Sequence, residues 1–298
     1  MPPLNFQRKV LKRKKTMNKY KMRYVDSIRG SVIAFILFII ATIFIPGVGP
    51  SEHVMIILTV STFIFAILMG YFLSGYYQRF LEIQKADTSE DAWFLSLYKT
   101  AQLQNKKFSD KIRDLIDRYY IEIYDSYGPK DEYRTTMPFY LAIWDELRKL
   151  KSIKNSMGFS WMLEELSNIE VHRNESSERS REKLGIGNWI ILITLSSIIL
   201  FCIFYLKTEA IYSQIITILL STTLVLILLI LRDLRNMMTP SGGIIPESGQ
   251  EIFDVLGKPR YYNLHLAKKG WYKIQKEGTY RLGLHKPGEK LNIKLIKK

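Results

Sequence analysis

The sequence predicts a mainly α, four-span helical membrane protein with a cytoplasmic helical bundle and a small C-terminal β-rich tail. Three observations carry that reading. Four windows, Gly30–Ser51, Val54–Tyr77, Leu184–Leu206 and Ala210–Leu231, contain no Asp, Glu, Lys or Arg. Each is long enough to cross a bilayer, because about 20 apolar residues at ~1.5 Å rise cover the hydrocarbon. Between the second and third windows the chain is charged but keeps a helical period. Beyond residue 258 it changes to short alternating runs punctuated by glycine.

Residues 1–29 form a basic N-terminus with ten Lys or Arg and one acid. Residues 30–77 supply spans one and two. The densest apolar part of span one, Val32–Ile45, is short enough for a signal peptide. The following "ATIFIPGVGP" has no small-x-small cleavage pattern, so a retained span is expected. Span two runs into "LSGYYQRFLEIQ" with no proline to stop it. Its apolar period persists at Phe80, Ile83, Trp93, Phe94, Leu97 and Ala101, so the helix is expected to continue into the cytosol. Tyr76, Tyr77, Arg79 and Phe80 then fall at the membrane interface, as does Trp189 at the start of span three. Arg79 can reach head groups or pair with Glu82.

Residues 78–183 carry 18 Lys or Arg against 19 acids and read as a helical domain. "FSDKIRDLIDRYYIEIYDSYGP" is amphipathic, with Ser109 as the expected N-cap and Ile112, Leu115, Ile116, Tyr119 and Ile123 on one face. A further helix is expected from "TTMP", with Pro138 in its first turn. Another begins near Phe159, with Met162, Leu166 and Ile169 as its stripe. The acids of this region, interleaved with bases, read as a solvated surface, Asp145 and Glu146 included. Residues 184–231 are spans three and four. Residues 232–258 form a Pro/Gly linker and short helix, and residues 259–298 a basic β-hairpin tail. Strands are expected in "RYYNLHL", "GWYKI", "GTYRLGL" and "KLNIKLI". The tail either lies on anionic lipid or is simply solvated.

The net charge of +15 is concentrated at the two ends, with 14 bases and six acids in residues 232–298. The positive-inside rule places both termini and the middle domain in the cytoplasm of a multi-pass cell-membrane protein. "PGVGPSEH" and "KTE" become the short outer connectors. No aromatic-interleaved basic motif accompanies the charge, so nucleic acid is not the expected partner. A single cysteine, Cys202, and four scattered histidines give no metal-ligand spacing and no nucleophile–base set. No cofactor, metal or catalytic residue is expected, and the spans hold no internal charge for a proton relay.

The order of features resembles the bestrophin-like membrane proteins of unknown function found in microbes, which are distantly similar to the bestrophin anion channels. The resemblance covers residues 28–256. It rests on "YYQRFLE" with "SLYKTAQL", on "RSREKLGIGNW" before span three, and on "LRDLRNMMTPSGGIIPES" after span four. The family usually has an Asp-Arg-Pro-Phe-like turn where this chain has "RDLRNMMTPSGG". The resemblance implies a homo-oligomer, a ring of five, whose second span lines a chloride-conducting pore. Phe63, Ile67 and Tyr71, at i, i+4 and i+8, then fall at an apolar neck that can gate by dewetting. It does not carry over a calcium site. The alternative function is a non-conducting scaffold or sensor that binds a cytoplasmic protein through its helical domain.

Overall fold

The structure, a computed structural model, describes residues 27–126, 129–150, 157–182, 185–235, 238–239, 242–243, 247–269, 273–275 and 278–297. The basic N-terminus up to residue 26, residues 127–128 and residues 236–237, 240–241 and 244–246 of the Pro/Gly linker lie outside the described residues. Seven helices come first: α1 (Ser27–Phe44), α2 (Glu52–Gln102), α3 (Lys106–Asp125), α4 (Pro129–Arg148), α5 (Met157–Arg181), α6 (Ile186–Tyr205) and α7 (Ile211–Arg235). Then follow β1 (Met238–Thr239), β2 (Gly242–Gly243), α8 (Glu247–Val255), β3 (Arg260–Asn263), α9 (Leu264–Lys268), β4 (Tyr280–Gly283) and β5 (Ile293–Ile296). The chain is mainly helical, and α1, α2, α6 and α7 are long and apolar enough to cross a membrane. It divides into two compact units, a spanning unit of residues 27–80 and 185–239 and an extramembrane unit of residues 81–182 and 242–297.

In the spanning unit, α1 ends at Phe44, short of the uncharged window, because Pro46 has no N–H to continue the ladder. Phe65, Met69 and Tyr76 of α2 pack with Leu192, Ile199 and Ile203 of α6 and with Leu224 and Leu231 of α7. Polar clamps close both ends of α1. The backbone N–H of Ser27 donates to Asp233 Oδ2 at 2.8 Å, which satisfies one of the orphan donors of a helix start. At the other end Lys207 Nζ donates to the carbonyls of Thr42 and Ile45 at 2.6 and 2.5 Å. A cation at a helix C-terminus also meets the negative end of its dipole. The clamp leaves no room at Gly47, where a Cβ would lie 1.9 Å from the Lys207 carbonyl oxygen.

Helix α2 is a single element of 51 residues, about 76 Å long at the standard rise. The apolar period beyond Tyr77 is therefore helical, as the sequence implies. Two helix starts differ from expectation. The N-cap of α3 is Asn105, not Ser109; its side chain accepts the Phe108 N–H at 2.8 Å. Helix α4 begins at Pro129, where a missing N–H costs nothing, so Pro138 falls mid-helix. Pro138 and Arg134 are both exposed, so the carbonyl left without a donor faces water.

The extramembrane unit is built on one aromatic-rich core. Phe94 and Leu97 of α2, Ile112, Ile116, Tyr119 and Tyr120 of α3, Ile143 and Leu147 of α4, and Met162, Leu166 and Ile169 of α5 are all buried together. Ile252, Phe253 and Leu256 of α8 and Tyr261 of β3 belong to the same core. The start of the C-terminal tail is thus packed on protein rather than solvated. Its three strands are not a simple hairpin set. Strand β3 pairs with β4 in parallel, Arg260 opposite Tyr280, and only β4 with β5 is antiparallel. "RYYNLHL" is half strand and half helix, because the Asn263 side chain accepts the N–H groups of His265 and Leu266 and starts α9. The expected strand in "GWYKI" is absent over residues 273–275, and residues 270–272 lie outside the described residues. Gly283 lets β4 approach β3 closely; a Cβ there would sit 2.2 Å from the Tyr261 hydroxyl.

Candidate functional site

Helix α2 buries one side and leaves the other open. In the spanning unit its buried positions are Ser61, Phe65, Met69, Tyr76 and Arg79. Opposite them, Phe63, Ile67 and Tyr71 are 68, 56 and 74 % exposed. The four-residue spacing stacks these three side chains along one stripe, each step rising ~6 Å. The interface residues divide. Tyr77 is open and Phe80 half-buried, while Tyr76 and Arg79 are turned into the protein, with the Arg79 guanidinium 5.5 Å from the Tyr76 ring centroid. Glu82 forms its ion pair with Arg179. Trp189 is half-buried beneath the Arg235 guanidinium, 5.7 Å away.

In the extramembrane unit, Leu81, Gln84, Lys85, Thr88, Ser89 and Ala92 form one open face of α2. Lys85 is the one charged side chain among these six. The acids of the same stretch are directed elsewhere: Glu82 to Arg179, the half-buried Asp87 to Ser176, and Glu90 and Asp91 inward.

That inward cluster was invisible to the reading of acids as a solvated face. Glu90 and Asp91 are buried at 7 and 8 % exposure. The Tyr119 hydroxyl donates to Glu90, the Tyr120 hydroxyl donates to Asp91 at 2.5 Å, and the Ser248 hydroxyl donates to the other Asp91 oxygen at 2.5 Å. Asp87 accepts from Ser176. Beside Glu90 lies Arg173, whose guanidinium donates to the Tyr133 carbonyl and Thr136 hydroxyl at 3.0 Å each and pairs with Glu170 at 3.1 Å. The rings of Tyr119, Tyr133 and Tyr140 surround it at 5.4, 5.0 and 4.5 Å. Burial raises all three carboxyls, Asp87 to about 7, Glu90 to about 8 and Asp91 to about 6. The same burial, with the neighbouring carboxylates, pushes the Tyr119 and Tyr120 phenols up, so both remain donors. A sequence signal existed: Asp87, Glu90 and Asp91 sit on the stripe set by Ile83, Phe94 and Leu97. Among the described residues no group of His, Cys, Asp and Glu is arranged to hold a metal ion.

No protein-family model and no curated protein matches this sequence. Solved structures do. One variant of a bacterial bestrophin homologue from Klebsiella pneumoniae superposes with a TM-score of 0.62, covering 79 % of this chain and 100 % of that one at 11 % identity. The fold is bestrophin-like. A second variant of that homologue gives 0.56 at 14 % identity, over 76 and 97 % of the two chains. A further membrane-protein crystal structure gives 0.59 at 13 % identity, over 76 and 98 %. Identity this low transfers a bestrophin-like backbone and no side chain, so chemistry rests on the residues of this chain.

Proposed function

We propose that this chain is a subunit of a homo-oligomeric membrane pore that conducts anions, lined by the open face of α2. The observation that carries the reading is the stripe Phe63, Ile67 and Tyr71. Three large side chains stand more than half exposed on a helix whose other side is packed. Brought together around an axis, as the bestrophin-like fold suggests, they make an apolar constriction of the kind that gates by dewetting. The charge on this face supports an anion, since Lys85 is exposed while Glu90 and Asp91 are buried. Both termini lie on the cytoplasmic side in this reading, where the basic ends of the chain belong.

The test is the purified oligomer in a planar bilayer. Phe63→Ala and Tyr71→Ala are expected to raise conductance by widening the neck, and Lys85→Glu to shift the reversal potential toward cations. A mass in detergent of one subunit rules out a ring. An intact oligomer that carries no current favours the alternative, a scaffold or sensor acting through the helical domain.

A further inference from the structure

Four helices of the extramembrane unit meet at Asp87, Glu90 and Asp91. On α2 itself the three carboxyls lie within two turns of one another. From α3, Tyr119 and Tyr120 face Glu90 and Asp91. From α5, Ser176 faces Asp87 and Arg173 faces Glu90. From α8, Ser248 and the Glu251 carboxylate face Asp91. The charges do not balance. Two buried carboxyls and the half-buried Asp87 have a single guanidinium near them, that of Arg173 beside Glu90, and it already serves Glu170. Ionising all of them would leave uncompensated negative charge in a dry core, which a protein avoids by keeping protons on. The hydroxyl donors are consistent with either state, because a protonated carboxyl still offers one acceptor oxygen.

We propose that Asp87, Glu90 and Asp91 form a proton-operated latch that holds the lower half of α2 on α3, α5 and α8, and that loss of its protons loosens this segment. The raised carboxyls place the transition near neutral pH. Repulsion among the newly formed carboxylates and Glu251 opposes the contacts of Tyr119, Tyr120 and Ser248 once the protons leave to solvent. Because α2 also carries the proposed pore stripe, the latch is a regulator of conduction; that last step alone rests on the pore reading.

Hydrogen exchange on the full-length protein in detergent tests the latch without any current. After correction for intrinsic exchange, amide protection over residues 83–98 and 119–124 is expected to fall about tenfold between about pH 5.5 and pH 8.5, with α6 unchanged. Glu90→Gln mimics the protonated side chain and keeps an acceptor for Tyr119. It is expected to hold the change below about twofold. Asp87→Asn is the second neutral mimic and should act in the same direction. Wild-type protection that does not change with pH, or an undiminished fall in both variants, overturns the latch. Loosening with a pH-independent current overturns the regulatory step only, and loosening in an oligomer that never conducts overturns the pore reading while the latch stands.

Discussion

Asp125 shows how much one side chain can hold. It is 4 % exposed and accepts hydrogen bonds from Tyr261 Oη at 2.7 Å, Asn263 Nδ2 at 2.8 Å and His285 Nε2 at 2.7 Å. Each donor is itself buried, so removing the carboxylate strands all three away from water. Asp125→Ala is expected to destabilise the protein by about 3 kcal/mol, and Asp125→Asn by less because one acceptor remains. A chemical-denaturation series in detergent measures both. Arg281 adds a second tie of the same kind, donating to both oxygens of Asp117 at 3.0 and 2.6 Å while lying over the Phe253 ring. None of this was readable from sequence. The partners of Asp125 lie 136 to 160 residues further on, and nothing local distinguishes it from the last acid of an amphipathic helix.

At the scale of elements, α2 carries glycines where its own fold does not call for them. Gly70 and Gly75 lie inside it, and a Cβ built on either meets nothing within 4 Å. They are not required by packing within the chain, unlike Gly47. Gly75→Ala is therefore expected to stabilise the helix by about 0.5–1 kcal/mol, read as a rise in melting temperature. A fall instead means that a neighbouring subunit comes close at that position. Most helices were legible because long apolar or 3.6-period runs leave few alternatives. Their starts were less so. Asn105 and Pro129 compete with equally plausible caps a few residues on, and only tertiary packing chooses. The parallel pairing of β3 with β4 was illegible for a different reason: alternation reports a strand, not its neighbour or direction. Spacing places Phe63, Ile67 and Tyr71 on one face, but only the family resemblance singles them out among the apolar positions of α2; for the inward acids, the 3.6-residue period was the better guide than charge.

For the whole molecule the buried carboxyls fix how stability follows acidity. Asp87, Glu90 and Asp91 have folded-state pKa values raised to about 7, about 8 and about 6, above those of an unfolded chain. The folded state therefore binds more protons between those limits. Their contribution is fully present below the unfolded carboxyl range and is lost as pH rises through the folded values. Melting temperature is expected to fall between about pH 5 and pH 8, and the fall should shrink when Asp87→Asn, Glu90→Gln and Asp91→Asn are combined. Glu165, also raised by burial, acts in the same sense.

The ties on Asp125 also set an order of events during synthesis. Tyr261, Asn263 and His285 leave the ribosome well after both α6 and α7. Until then a nascent chain has α3 but not the donors that let its last turn be buried. Both hairpins can be threaded into lipid while the polar half is still unfinished, and that half cannot close until His285 is free to fold back onto Asp125.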